Sequence, residues 1–440
     1  MNIYALSSGR GPSGIAIIRL SGKDTLKIVK LFLKNKKLNT KEANLCKFYN
    51  PSDNSLIDEG ILLLFPAPNS FTGDHLAEFH VHGSNAVISY FLKVLSEQTD
   101  CRLAEPGEFT KIAFQNNKID LVEAESIADL IHSETELQRQ QAVNLVQGNA
   151  SNYYNNLRDK LIKSLAYIEA QIDFAEEDLP GSVLGQTQET IQQVRNDIKK
   201  ILNDHKIGEK IRDGFRVSIT GEVNAGKSSL LNLLAKRELA IVSEEEGTTR
   251  DVIEAYLNID GYPVILADTA GIRESKNEVE KKGILLALNK SKEADLNLIV
   301  IDNSSKQINK EVLNLVNENS IVVLNKSDKE REQKYDFNEA ILVSVKENRN
   351  IDQLILKIKN KLSKKFITTG NVLVTRERHR IKLNECLKDI ENFLQKNKDN
   401  DIEIRAEDLR RATRQLGGIV GKVDVEEILG SIFKDFCVGK

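Results

Sequence analysis

Four cysteines in 440 residues, Cys46, Cys101, Cys386 and Cys437, are scattered without C-x-x-C spacing. That sparse use speaks against a disulfide framework and a structural zinc, and suits a reducing compartment. No apolar run approaches the ~18 residues that a membrane span requires. The opening MNIYALSSGRGPSG has neither the basic-then-apolar layout of a signal peptide nor an Arg-rich transit helix. Positive charge is not in excess either: the formal net charge is −3, so no global basic field points to nucleic acid, and any RNA contact must come from a local patch. Internal repeats and low-complexity tracts are absent. These absences leave a cytoplasmic chain, of about three domains by its length.

What is present is a phosphate-binding loop. FRVSITGEVNAGKSSLLNLL (Phe215 to Leu234) sets G-x-x-x-x-G-K-S between an apolar strand, Val217 to Thr220, and an apolar helix, Ser229 to Leu234. Glycine at 221 and 226 lets the backbone curl around a phosphate chain and turn its N–H groups inward. Lys227 reaches the outer phosphates, the Ser228 hydroxyl is placed for magnesium, and Asn224, Ala225, Gly226 and Ser229 complete the cradle at the helix N-terminus.

Three motifs follow in the order of a guanine-nucleotide switch. DTAG (Asp268, Thr269, Ala270, Gly271) ends the apolar run Pro263 to Ala267, where Asp268 can hold the magnesium shell and the Gly271 amide a terminal phosphate. NKSD follows the strand Ile321 to Leu324, with Asn325, Lys326 and Asp328; the Asp328 carboxylate accepts from the N1–H and 2-amino edge of guanine, which adenine lacks. SVK, beginning at Ser344 after Ala340 to Val343, brings a backbone amide to the guanine oxygen. The nucleotide expected is therefore GTP. Directly after DTAG, Ras-type GTPases carry a water-orienting glutamine. Here Ile272 stands in that place and has no hydrogen-bonding group. Another group must orient the water, and Arg273 to Glu280 offers Arg273, Glu274, Glu278 and Glu280; most of these are expected to be a solvated switch-helix face.

Before the GTPase core, strand-like runs Gly14 to Leu20, Leu62 to Phe65 and Ala77 to Val81 alternate with a helix near Ala86 to Leu95. Apolar spacing then becomes helical, as at Leu157, Leu161, Leu165 and Ile168, with a break at Asp178 to Thr187, and helical spacing returns from Thr375 to Phe436. The expected architecture is multidomain α/β plus all-α: an α+β domain over 1–119, the first half of a helical domain over 120–213, a Ras-like P-loop GTPase domain inserted over 214–367, and the second helical half over 368–440. The terminal FCVGK offers Cys437 beside a lysine: a nucleophile, a poor prenylation signal, or a small residue ordering the terminus. Arginines at 376, 378 and 380 with His379, and at 410, 411 and 414, could meet phosphates or, interleaved with Glu377, Glu407 and Asp408, form solvated faces and intramolecular pairs.

Taken together, GRGPSGIAIIRLSG, PNSFTGDHLAEFHVHG, PGEFTKIAFQNNKIDLVEAESIADLI, NAGKSS, GTTRD and FCVGK resemble the MnmE (TrmE) family of tRNA uridine-5-carboxymethylaminomethyl modification GTPases along essentially the whole chain. The resemblance implies a homodimer formed through the N-terminal domain, which binds a tetrahydrofolate derivative (5-formyl- or 5,10-methylene-tetrahydrofolate) at Arg19, Glu78, Lys118 and Lys440. It implies an MnmG-type flavoprotein partner carrying FAD, assembled as a heterotetramer, and addition of an aminomethyl or carboxymethylaminomethyl group to C5 of the wobble uridine, position 34, of certain tRNAs. It further implies a potassium ion in place of an arginine finger upon dimerisation of the GTPase domains. Its ligands would be Asn224, Ser243, Glu245 and Thr248 within the loop Ser243, Glu244, Glu245, Glu246, Gly247, Thr248, with Thr249 joining Ser228 on magnesium and Glu280 as the catalytic acid acting on water. The loop reads SEEEG where smaller or apolar residues are usual, and SVKENRN lacks the customary alanine and glycines. The competing reading is a ribosome-assembly or regulatory GTPase without folate chemistry, its flanking domains serving as binding modules.

Overall fold

A computed structural model of the chain describes residues 1–9, 11–34, 37–173, 181–222, 224–239, 254–268, 293–305, 308, 310–330, 337, 340–366, 372–395, 402–423, 429–430, 432–433, 436 and 439. They form two compact units: 1–128 with 146–162 and 410–440, and 129–145 with 163–409.

The first unit is built on a six-stranded sheet in the order β3-β4-β5-β2-β1-β6, with β1 Asn2–Leu6, β2 Ser13–Ser21, β3 Asn44–Tyr49, β4 Leu56–Phe65, β5 Leu76–Gly83 and β6 Cys101–Leu103. All pairs are antiparallel except β1 with β6. Strand alternation sorts the side chains by face. Ala16, Ile18, Leu20, Ala77, Phe79 and Val81 enter one core with α1 (Thr25–Leu31) and α2 (Asn85–Ser96). Four rings anchor it: Phe32 stacks on Phe91 with centroids 5.3 Å apart, and Phe79 lies 4.9 Å from Phe91 and 5.4 Å from Phe48. The other parity, Arg19 and Glu78 among it, faces away, toward a small cluster of Ile3, Ala5, Ala104 and Phe109 that includes α3 (Glu108–Gln115). Farther along, α4 (Leu121–Ile131) buries Ala124 and Ala128 against Phe433 and Phe436.

The second unit holds a sheet in the order β12-β11-β10-β7-β9-β8: β7 Phe215–Gly221, β8 Glu254–Ile259, β9 Tyr262–Asp268, β10 Leu296–Asp302, β11 Ser320–Asn325 and β12 Ile341–Leu342. Every pair is parallel except β8 with β9. A parallel sheet is covered on both faces and its inner strands are apolar at every position. β10 shows why: Leu298 and Val300 join one cluster, Ile299 and Ile301 another.

Helices of this unit are α5 (Glu136–Val146), α7 (Gly181–Leu202), α8 (Ile207–Asp213), α9 (Lys227–Leu234), α10 (Lys310–Leu313), α11 (Ile351–Phe366) and α12 (Glu377–Gln395), while α6 (Asn149–Asp173) and α13 (Ile402–Val420) contribute to both units. The break expected at Asp178 to Thr187 is narrower than its composition suggests, because α7 already begins at Gly181, directly after Pro180, a residue favoured at helix starts. α7 and α12 pack through Ile191, Val194 and Ile198 on one and Leu383, Cys386, Ile390 and Phe393 on the other, all completely buried. Charges tie α8 to the sheet and to α4. Asp295 accepts from the Arg216 amide at 3.0 Å and pairs with Lys210 at 2.8 Å, and Asp129 receives Arg212 at 3.0 Å and Arg376 at 2.7 Å. Arg380 is held by Glu209 and Asp204, each at 2.8 Å. Of the arginines that could have met phosphates, Arg376 and Arg380 thus form intramolecular pairs, and Arg410, Arg411 and Arg414 lie on the solvent side of α13.

Emptying the aromatic cluster tests the first unit. Phe79→Ala should cost about 3–5 kcal/mol, seen as lost hydrogen-exchange protection in β2 and β5 with protection of β7 and β10 retained.

Candidate functional site

Because β7, β9, β10 and β11 run parallel, their carboxyl ends meet on one edge, the place where open α/β sheets bind ligands. Register aligns Gly221 with Val300, Asp268 with Ile219, and Asp302 with Asn325. The phosphate loop leaves β7 there and enters α9. Gly226 occupies the helix N-cap at φ 94°, and a Cβ on it would collide with Nδ2 of Asn325. Lys227 Nζ donates back to the carbonyls of Gly221 at 3.1 Å and Glu222 at 2.7 Å, spanning the loop it is expected to serve. Ser228 and Ser229 open α9, the helix end suited to an anion.

Asn325 binds the loops to one another. Its buried Nδ2 donates to the Ala225 carbonyl at 2.8 Å and its Oδ1 accepts from the Val345 amide at 3.1 Å. Phosphate loop, NKSD and SVK therefore share one side chain. Lys326, at φ 62°, donates to the Asn224 carbonyl at 2.7 Å, and Asn224 itself adopts φ 61°. Ser344 Oγ donates to Asp328 Oδ1 at 2.6 Å. That bond, with help from the backbone, holds the Asp328 carboxyl below its usual range, so it is ionised throughout the neutral range and loses its charge only as pH falls well into acid. Thr220 Oγ1, Asn303 Oδ1 and Ser327 Oγ, buried near these strand ends, lack hydrogen-bond partners, which suits a region made to meet a polar ligand.

The first unit gathers a second set. Arg19 and Glu78 face each other across β2 and β5, and Arg19 donates to Glu78 Oε1 from Nε at 3.2 Å and from Nη2 at 2.8 Å. Glu78 Oε2 lies 3.5 Å from His80 Nε2, two residues along the same face. The Arg19 guanidinium sits 5.6 Å from the Phe109 ring and 6.0 Å from that of Phe71. Phe71 begins a short loop whose Gly73 abuts the Lys118 side chain. The carbonyl of Gly439 completes the set, accepting from Ser7 Oγ at 2.8 Å and Arg19 Nη1 at 3.3 Å. Gly439 has φ 102°, and a Cβ there would strike the Leu6 carbonyl, so glycine alone allows this approach. Sequence reasoning missed Ser7, His80 and the role of Gly439; the glycine of the FCVGK motif was the only signal for any of them.

Residues 121–437 match the family model of the MnmE helical domain, and residues 2–118 that of the GTP-binding protein TrmE N-terminus. The tRNA modification GTPase MnmE of Pelagibacter ubique (strain HTCC1062) is 56% identical over 443 residues, covering 100% of both chains. The chain belongs to the MnmE (TrmE) family of tRNA modification GTPases. The MnmE of Rickettsia bellii (strain RML369-C) is 42% identical, over 100% of this chain and 99% of its own. Among solved structures, the G domain of the T. maritima FeoB iron transporter is 22% identical over 33% of this chain and 98% of that one, with a TM-score of 0.25, and nothing rests on it.

Several residues singled out from the motifs or the MnmE resemblance lie outside the described residues: Ser243, Glu244, Glu245, Glu246, Gly247, Thr248, Thr249, Thr269, Ala270, Gly271, Ile272, Arg273, Glu274, Glu278, Glu280, Cys437 and Lys440. Asp268 is placed at the end of β9 by its backbone. Among the described residues no three His, Cys, Asp or Glu side chains cluster as a metal site, and no helix is long and apolar enough to cross a membrane.

Gly226→Ala should weaken binding of a fluescent-labelled GDP at least about tenfold, from backbone strain and the displaced Asn325 amide. Unchanged affinity by titration would show that this loop tolerates a side chain at its helix start.

Proposed function

We propose that this GTPase is potassium-activated and works in the cytoplasm as a homodimer that joins an FAD-carrying MnmG-type flavoprotein in a heterotetramer. Together they add an aminomethyl or carboxymethylaminomethyl group to C5 of the wobble uridine, position 34, of certain tRNAs, using a tetrahydrofolate derivative (5-formyl- or 5,10-methylene-) as the one-carbon donor. The observation that carries the folate part is the convergence of Arg19, Glu78 and Gly439 in one place, from segments that a GTPase alone has no reason to bring together.

The residues present suit the groups invoked. Glu78 keeps Oε2 outside its bonds to Arg19, an acceptor for the N–H edge of a pterin, while Arg19, Lys118 and Lys440 supply cations for ring carbonyls or glutamyl carboxylates. Asn224 is exposed, with its carbonyl already engaged by Lys326, so its side-chain oxygen is available to a cation. Ser243, Glu245 and Thr248 would complete the potassium set, and Ser228, Thr249 and Asp268 the magnesium shell. Bound cations supply charge neutralisation where negative charge grows on the leaving oxygen of the triphosphate. The chain does the rest: Lys227 steadies the outer phosphates, Asp328 reads guanine, and Glu280 orients the attacking water that Ile272 is unable to hold. Dimerisation of the GTPase domains would complete the cation site and so drive hydrolysis.

Replacing potassium by sodium should lower GTP turnover by about tenfold or more; turnover indifferent to the alkali ion would remove the cation from the mechanism. Glu280→Ala should reduce turnover roughly 100-fold or more with GTP affinity kept, and a normal rate would clear Glu280 of that role. The pathway itself is tested by mass analysis of wobble-uridine nucleosides in cells lacking the gene. Loss of the C5 substituent is expected, and unchanged nucleosides would favour an assembly or regulatory GTPase instead.

A further inference from the structure

Asp302 closes β10 beside the guanine motif but belongs to none of the four GTPase signatures. Its Oδ2 accepts from Lys326 Nζ at 2.6 Å, and the same Nζ donates to the Asn224 carbonyl at 2.7 Å. Its other oxygen is fixed as well, accepting from the Ser304 amide at 3.0 Å and the Ser304 hydroxyl at 2.7 Å. Register places Asp302 opposite Asn325, the residue before Lys326, and the Asn303 amide donates to the Asn325 carbonyl at 2.8 Å. Apart from the lysine, Ser304 thus fixes one carboxylate oxygen and the Asn325 carbonyl fixes the backbone just beyond it.

A strand-end aspartate often does no more than turn the chain through a nearby serine. The bonds to Ser304 satisfy that role alone, and the contact with Lys326 is additional. We propose that Asp302 is a positioning residue for guanine nucleotide, fixing the Lys326 ammonium so that one side chain braces the base-reading loop against the phosphate loop at Asn224. Lysine carries a long, rotamer-rich stem, and a stem ordered before the ligand arrives loses less freedom on binding. Burial would raise the Asp302 carboxyl, but hydrogen bonds from Lys326 and Ser304 outweigh it and keep the group below its usual range. The brace therefore stays charged at neutral pH.

The test is a double-mutant cycle on the full chain, read as the Kd for mant-GDP. Asp302→Asn retains acceptor and shape toward Ser304 but removes the charge; it should raise Kd about tenfold. In a Lys326→Ala background the same change should shift Kd by less than about twofold, because its effect runs through that lysine. Ser304→Ala, which loosens the carboxylate while leaving its charge, should give a smaller rise of the same sign, likewise absent with Lys326→Ala. An unchanged Kd for Asp302→Asn, or an equal loss in both backgrounds, overturns the proposal and leaves Asp302 a local turn-former.

Discussion

A single buried amide keeps the nucleotide edge in register. Three loops leave the parallel sheet at separate strands, and each has backbone groups that must be satisfied where water is scarce. Asn325 answers two of them at once, donating to Ala225 and accepting from Val345. An aspartate in its place would have no donor for the Ala225 carbonyl, and a leucine would leave both groups unpaired. The left-handed backbone of Asn224, Gly226 and Lys326 is tolerable only because this amide and the Lys326 ammonium hold both sides of the loop. Pre-organisation of that kind is what a cradle for a highly charged ligand needs, since reorganising dipoles during the reaction would cost the stabilisation they provide.

The same economy governs the first unit by another route. There the two-residue period of β2 and β5 puts the phenylalanine core on one face and Arg19 and Glu78 on the other. A slip of one residue in that register would bury the ion pair among aromatic rings and expose Phe79. Packing therefore sets the chemistry: the apolar face is what forces arginine and glutamate to meet. In the second unit, Asp295 ties α8 to the sheet by charge, through Lys210 and the Arg216 amide, beside the apolar contact of Ile207 and Ile211, and Asp129 joins Arg212 of α8 to Arg376.

Much of this was legible in the residues. Expected strands at Gly14 to Leu20, Leu62 to Phe65, Ala77 to Val81, Val217 to Thr220 and Ile321 to Leu324 fall inside β2, β4, β5, β7 and β11, because each presents apolar, aromatic or β-branched residues on at least one face of an extended run. The expected strand at Ala340 to Val343 is reduced to Ile341–Leu342 at the sheet edge, where one neighbour is missing and pairing ends early. Short or mixed strands such as β1, β3 and β6 gave no periodic signal, and only their partners define them. Nor could spacing reveal that Arg19 and Glu78, or Asp302 and Lys326, touch. Those contacts depend on register and on which strand neighbours which, properties of the assembled sheet. Charge clusters were the most ambiguous of all: spacing alone could not tell that Arg376 and Arg380 are drawn into ion pairs with Asp129, Asp204 and Glu209.

The grip of Ser7 on Gly439 joins positions 432 apart in sequence. A ribosome delivers the sheet early, so β1 to β6 can pair while most of the polypeptide is still unmade. The wall that Gly439 forms beside Arg19 has to wait for nearly the whole chain. Nascent protein thus passes through a stage in which the sheet is paired while Ser7 and Arg19 still await the carbonyl they will share.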